Sequence, residues 1–153
     1  MSQRLHHTSF TVSDVDAAEK FFVENFGMTR LGGGVYDFDY LRQIVGYSDA
    51  RLKIAVLGFA SAGGAGHKLE LIEYLEPRGA AVDTATNRPG AAHLCLEVED
   101  IHADYERLRS RGVQFKSAPI EVAHGINRGA WAVYFSGPDN IALELFQPAA
   151  TKA

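Results

Sequence analysis

Cysteine is nearly absent from this chain of 153 residues, which carries a single one, Cys95. One thiol excludes an intramolecular disulfide and any cysteine-rich zinc cluster, so a packed apolar core has to hold the fold. Cys95 itself lies in the apolar run Leu94-Cys95-Leu96 and reads as a small buried residue. Positive charge is short as well: 15 Lys and Arg against 19 Asp and Glu leave a net charge of -4. No basic field is available to attract nucleic acid or an anionic membrane, and neither is an expected partner. There is no apolar run of membrane length, and the opening Met-Ser-Gln-Arg leads into a strand pattern without an apolar signal core, so a cytoplasmic location is expected.

What the chain does have is an internal repeat. His7-Thr8-Ser9-Phe10-Thr11-Val12-Ser13-Asp14-Val15 and His93-Leu94-Cys95-Leu96-Glu97-Val98-Glu99-Asp100-Ile101 share one pattern of His, alternating apolar residues, Asp and a helix-like run. Later in each half an apolar run carries one central carboxylate, Glu70 between Leu69 and Leu71 and Glu144 between Leu143 and Leu145. Alone, each residue has an ordinary explanation. A single His in an apolar strand is more often a hydrogen-bonded core residue than a ligand, and a lone strand Glu usually faces solvent. Together, two imidazoles and two carboxylates in matched positions make a mixed nitrogen and oxygen donor set for a divalent metal, which would also neutralise carboxylates that are costly to bury unpaired.

Period-2 alternation predicts a first strand over Leu5 to Val12, with His7, Ser9 and Thr11 on one face and His6 on the other. Ser13 is the expected N-cap of a helix whose stripe is Ala18, Phe22 and Phe26, stopped by Gly27. Strand-like runs follow at Met28 to Leu31, Leu52 to Phe59 and Lys68 to Leu75, with a glycine-rich hairpin loop over Ser61 to Gly66. The second half repeats the order: a strand over Ala92 to Val98, a helix entered at Asp100 with Ile101, Tyr105 and Leu108 on one stripe, then strands at Val113 to Lys116, Ala130 to Phe135 and Ile141 to Phe146. Gly137-Pro138-Asp139-Asn140 is a tight turn. The fold class is therefore α+β, two βαβββ modules over about residues 5–75 and 91–148 joined by a connector over 76–90, together one domain of ordinary size. Residues 35–49 follow neither period and are expected to form a long loop walling the substrate.

These residues resemble the vicinal oxygen chelate superfamily, which includes glyoxalase I, methylmalonyl-CoA epimerase, extradiol dioxygenases and bleomycin-resistance proteins. The resemblance runs from Leu5 to Pro148 and rests on His-Thr-Ser-Phe-Thr-Val-Ser-Asp-Val-Asp, Lys-Leu-Glu-Leu-Ile, Ala-His-Leu-Cys-Leu-Glu-Val and Gly-Pro-Asp-Asn-Ile-Ala-Leu-Glu-Leu. It implies paired βαβββ modules whose curled mixed sheets surround one divalent ion (Zn, Ni, Co, Mn or Fe), with His7, Glu70, His93 and Glu144 as ligands by position. Relatives commonly form homodimers. An extradiol Fe(II) site needs only two His and one Glu, so the presence of Glu70 favours redox-neutral chemistry. Glutathione-dependent glyoxalase I typically has an Arg where this chain has Thr11. In methylmalonyl-CoA epimerases a Glu of the long-loop region takes part in proton transfer, whereas here only Asp37 and Asp39 stand there.

The expected function is that of a metal-dependent isomerase or lyase, epimerase-like in the first place. It moves a proton next to the carbonyl of a small molecule, with Glu144 and Glu70 as the catalytic carboxylates. An Fe(II) extradiol-type dioxygenase and a small-molecule binding or resistance protein without catalysis are the alternatives. His124, in a His-Gly turn like one in epimerase relatives, is a candidate for lining the pocket. Arg42, Tyr47, Arg128 and Trp131 are candidates for substrate recognition, while His6, His67 and His102 read as structural or exposed.

Overall fold

Ser13 and Asp14 are both good helix starters, and the chain uses Asp14. Its carboxylate accepts hydrogen bonds from the backbone N–H of Asp16 and Ala17, which satisfies two donors that a first helical turn leaves open. Helix α1 (Val15–Phe26) then runs to Gly27, whose left-handed backbone (φ 66°) closes it as a glycine can without strain. The structure, a computed structural model, describes residues 4–60 and 66–150. The predicted hairpin loop over 61–66 therefore lies outside the described residues except for Gly66.

The chain divides into two compact units, Met1–Ala81 and Val82–Ala153. The first holds β1 (His7–Thr11), α1, β2 (Thr29–Tyr36), α2 (Asp39–Val45), β3 (Arg51–Gly58) and β4 (Lys68–Glu76). Its sheet has the order β1-β4-β3-β2, with β1 parallel to β4 and the other neighbours antiparallel. Val15, Ala18 and Phe22 of α1 are buried, as are Ala55 and Leu57 of β3 and Leu69 and Leu71 of β4, and these make the core between helix and sheet. Because successive strand residues point to opposite faces, Glu70 stands on the face away from α1.

The second unit holds β5 (His93–Glu97), α3 (Ile101–Ser110), β6 (Ile120–Glu121), β7 (Trp131–Ser136) and β8 (Ala142–Gln147), with a 3-10 turn over Pro138–Asn140. Its sheet order, β5-β8-β7-β6, repeats the first, and β5 is again parallel to β8. Ile101 and Leu108 of α3 are buried, as are Val133 and Phe135 of β7 and Leu143 and Leu145 of β8. Glu144 thus takes the place in this unit that Glu70 has in the other.

Hydrogen bonds carry the repeat further than the sequence pattern does. Val12 N–H donates to Ile72 O at 2.8 Å, and Val98 N–H to Phe146 O at 2.9 Å. The N–H of the first helical residue meets a side chain of the last strand in both units: Val15 N–H donates to Glu73 at 3.2 Å and Ile101 N–H to Gln147 at 2.9 Å. Glu73 and Gln147 each lie three residues beyond the central Glu of their strand.

Three expectations need correction. Residues 35–49 are not a long loop: β2 continues to Tyr36, and α2 follows from Asp39. Residues 113–116 are not a regular strand. They meet β7 through one bridge, Phe115 to Phe135, before Pro119, which has no N–H to give a ladder, and the edge position goes to β6. Cys95, expected to be buried, is exposed.

Candidate functional site

Strand pairing brings each His to its Glu. In the first unit Ser9 lies opposite Glu70 in the parallel β1–β4 register, which puts His7, two residues earlier, on the same face. His7 Nε2 is 3.7 Å from Glu70 Oε2. In the second, Cys95 lies opposite Glu144 in the β5–β8 register, and His93 Nε2 is 3.1 Å from Glu144 Oε2. Both imidazoles are open to solvent (side chains 43% and 41% exposed), whereas Glu70 and Glu144 are more covered at 25% and 14%.

The surroundings of the two pairs differ. His7 Nδ1 lies 2.8 Å from Nδ1 of His6, so the ring nitrogen facing away from Glu70 already has a partner, the arrangement that fixes the orientation of metal-binding histidines. His6 thus sits beside His7 and not simply across the strand from it. In the second unit the Tyr134 hydroxyl lies 3.2 Å from His93 Nε2, and the two rings meet edge to face with centroids 5.0 Å apart. Tyr134 is directly opposite Glu144 in the β7–β8 register, and Cys95 is opposite it in the β5–β8 register. Burial first, then the charge of Glu144, pushes the Cys95 thiol up to about 12. The same two causes raise the Tyr134 phenol above its ordinary value.

Two donors bound to one ion at about 2.0–2.2 Å stand roughly 3.0–3.5 Å apart at ordinary coordination angles. The separation of 3.1 Å in the second unit falls within that range and the 3.7 Å in the first lies just outside it, and imidazole with carboxylate is a donor set that divalent Zn, Ni, Co, Mn and Fe accept. Among the described residues, neither unit by itself gathers three or more His, Cys, Asp or Glu that could hold a metal ion. Each holds one His–Glu pair.

The residues expected to meet the substrate fall in different places. Tyr47 is half exposed and packs edge to face on Tyr74, with centroids 5.9 Å apart. Tyr74 is four residues beyond Glu70 on β4 and so shares its face. Arg42 is held by Asp37 and by Asp39, the latter at 2.7 Å, which engages its charge inside the first unit. His124 and Arg128 lie exposed before β7. Trp131 is opposite Gln147 in the ladder and rests against His102 of α3 at 4.7 Å between centroids, so it belongs to the helix side of the sheet, away from the face of Glu144. Tyr134 and Cys95 are the site-face residues that the sequence did not single out. Tyr134 was findable, since it stands ten residues before Glu144 in an alternating run.

The chain has relatives among known proteins. The chain is 32% identical over 145 residues to a 2-epi-5-epi-valiolone epimerase from Actinomyces sp, covering 92% of this chain and 77% of that one. It is 26% identical over 164 residues to a lactoylglutathione lyase from Schizosaccharomyces pombe, of whose length it spans about half (49%), with 97% of this chain covered. In fold it superposes on a glyoxalase family protein from Bacillus cereus with a TM-score of 0.79 at 22% identity, over 98% of this chain and 97% of the other. The model of the Glyoxalase/Bleomycin resistance protein/Dioxygenase superfamily matches residues 4–145, and the chain belongs to that family.

Proposed function

We propose that this protein is a divalent-metal-dependent enzyme of the glyoxalase and epimerase type, working by proton transfer beside the carbonyl of a small molecule. The observation that carries this reading is the repeated His–Glu pair, set by the same strand register in two units. His7, Glu70, His93 and Glu144 are the residues that would hold the ion. When bound, that ion supplies positive charge to a substrate oxygen as negative charge develops there.

The chain's own residues do the rest. A carboxylate next to the reacting carbon takes its proton and the C–H electron pair moves toward the carbonyl oxygen; return of a proton to the opposite face of that carbon completes an epimerisation, and its delivery to the neighbouring carbon, with the hydroxyl proton lost, completes a 1,2-shift. Glu70 and Glu144 are the groups placed for this work, and epimerisation leads because the relative covered to 77% of its length carries an epimerase name. Tyr47, against Tyr74 on the Glu70 face, supplies an aromatic wall for the substrate.

The test is a deuterium-exchange assay in heavy water, with 2-epi-5-epi-valiolone and lactoylglutathione as first substrates, with and without a chelator. Chelator-sensitive deuterium incorporation next to the carbonyl is the expected result. Oxygen uptake on catechols with iron present would point to a dioxygenase instead, and ligand binding that survives chelation without exchange would point to a binding protein.

A further inference from the structure

Of the three consecutive glycines in β2, the fold accounts for one. Gly33 has φ 125°, and a Cβ there would lie 2.1 Å from Ile54 O, so only glycine fits. Gly32 and Gly34 have no such reason. Neither has a positive φ, a Cβ on Gly32 meets nothing within 4 Å, and one on Gly34 meets only the Tyr36 ring, at an ordinary 4.0 Å. A side chain would suit a strand better than bare backbone does. The register shows what the bareness leaves open. Gly32 is opposite Val56 and Val56 opposite Glu70, while Gly34 is opposite Ile54 and Ile54 opposite Ile72. Residues opposed in a ladder share a face, so both glycines lie on the Glu70 face of the sheet, away from α1. At one strand spacing of about 4.8 Å per step, Gly32 stands about 10 Å across the sheet from Glu70.

We propose that Gly32 and Gly34 are specificity-determining positions, the bare end of a flat, uncharged floor on which a ring of the substrate lies. This rests on the reading above, which puts the reacting carbon beside Glu70, and it names the substrate class as a ring-bearing, uncharged hydroxy-ketone. Ile54, Val56 and Ile72 are only half-buried, and they form the floor between Glu70 and the glycines. No charged or polar side chain stands among them, so the part of the substrate above carries no charge that would go unpaired there. A ring meets such a surface with its whole face and has little freedom to lose on docking, whereas an open chain must first be ordered. Tyr36 and Tyr74 flank Leu52 in the next row and end the floor with aromatic rings. A side chain at position 32 or 34 would rise into the space over the floor's far edge.

The experiment follows the backbone amide NMR signals of isotope-labelled protein during titration with 2-hydroxycyclohexanone and with acetoin, an open-chain hydroxy-ketone with two carbons fewer, each with and without a chelator. In the parent the ring ketone should move the signals of Gly32, Gly34, Ile54 and Val56 and bind about tenfold more tightly than acetoin, the gain expected from two further buried carbons. That preference should survive chelation, because the floor holds no metal ligand. Gly32→Val and Gly34→Ala should weaken ring binding about tenfold, to the level of acetoin, without lowering the melting curve. Val35→Thr, on the opposite face of the same strand, should change it by less than about twofold. Glycine signals that stay still in the parent, or parent-like affinity in both glycine variants, would overturn the floor while leaving the catalytic reading in place. Ring binding at the glycines with no deuterium exchange next to the carbonyl would support the floor and overturn the catalytic reading.

Discussion

The thiol of Cys95 is exposed yet held in its neutral form by crowding and by the charge of Glu144 beside it. In metal-free protein its alkylation rate should keep climbing about tenfold per pH unit beyond pH 9, because the thiolate is the nucleophile and a group pushed up to about 12 is still almost wholly protonated there. A rate that levels off near pH 9 would show an ordinary cysteine. The residue also shows what strand patterns conceal. In Leu94-Cys95-Leu96 every side chain is apolar, so alternation gives no phase, and only His93, two residues back, says which face Cys95 takes. His7, Glu70, His93 and Glu144 stood out in the sequence for the opposite reason. They recur at matched places in both halves, and a repeat turns individually weak signals into a strong one. Tyr134 has no tyrosine counterpart, since Val56 fills that place, and so the repeat could not expose it.

At the level of elements, the β-α-β-β-β order of each half was readable because four to eight apolar residues in alternation, bounded by Gly, Pro and Asp, leave few other assignments. Strand β2 was cut short in the sequence because Gly32-Gly33-Gly34 has no side chains to show a period, and α2 is too brief for a helical stripe to emerge. Those glycines are not interchangeable. Gly33 has φ 125°, and a Cβ there would lie 2.1 Å from Ile54 O, whereas a Cβ on Gly32 meets nothing within 4 Å. Gly33→Ala should cost at least about 2 kcal/mol from strain and clash, and Gly32→Ala within about 0.5 kcal/mol, measured by denaturant unfolding. Equal effects would contradict the β2–β3 register. Glu73, buried and shared between Val15 N–H and Arg78, closes the start of α1. Glu73→Ala leaves that donor unsatisfied and should destabilise the fold by about 1–3 kcal/mol without direct effect on metal binding.

For the whole molecule, the likeness to its relatives and the duplicated hydrogen-bond scheme describe a protein built twice from one unit, with each copy delivering one imidazole and one carboxylate. Among the described residues no helix is long and apolar enough to cross a membrane. If the two pairs meet on one ion, metal is part of the folded state's stability, since ligand that binds only the folded chain stabilises it by about 2.7 kcal/mol at a hundred times its Kd. Chelation should therefore lower Tm, and added Zn or Co should restore it in proportion to the logarithm of metal concentration. The most direct measurement is elemental analysis of protein purified without added metal, repeated on His7→Ala, His93→Ala and Glu70→Ala. The account predicts about one divalent ion per four-ligand set in the parent, lost in both histidine variants and weakened in Glu70→Ala. Metal retained in both histidine variants, or none bound by the parent even after reconstitution, would contradict it.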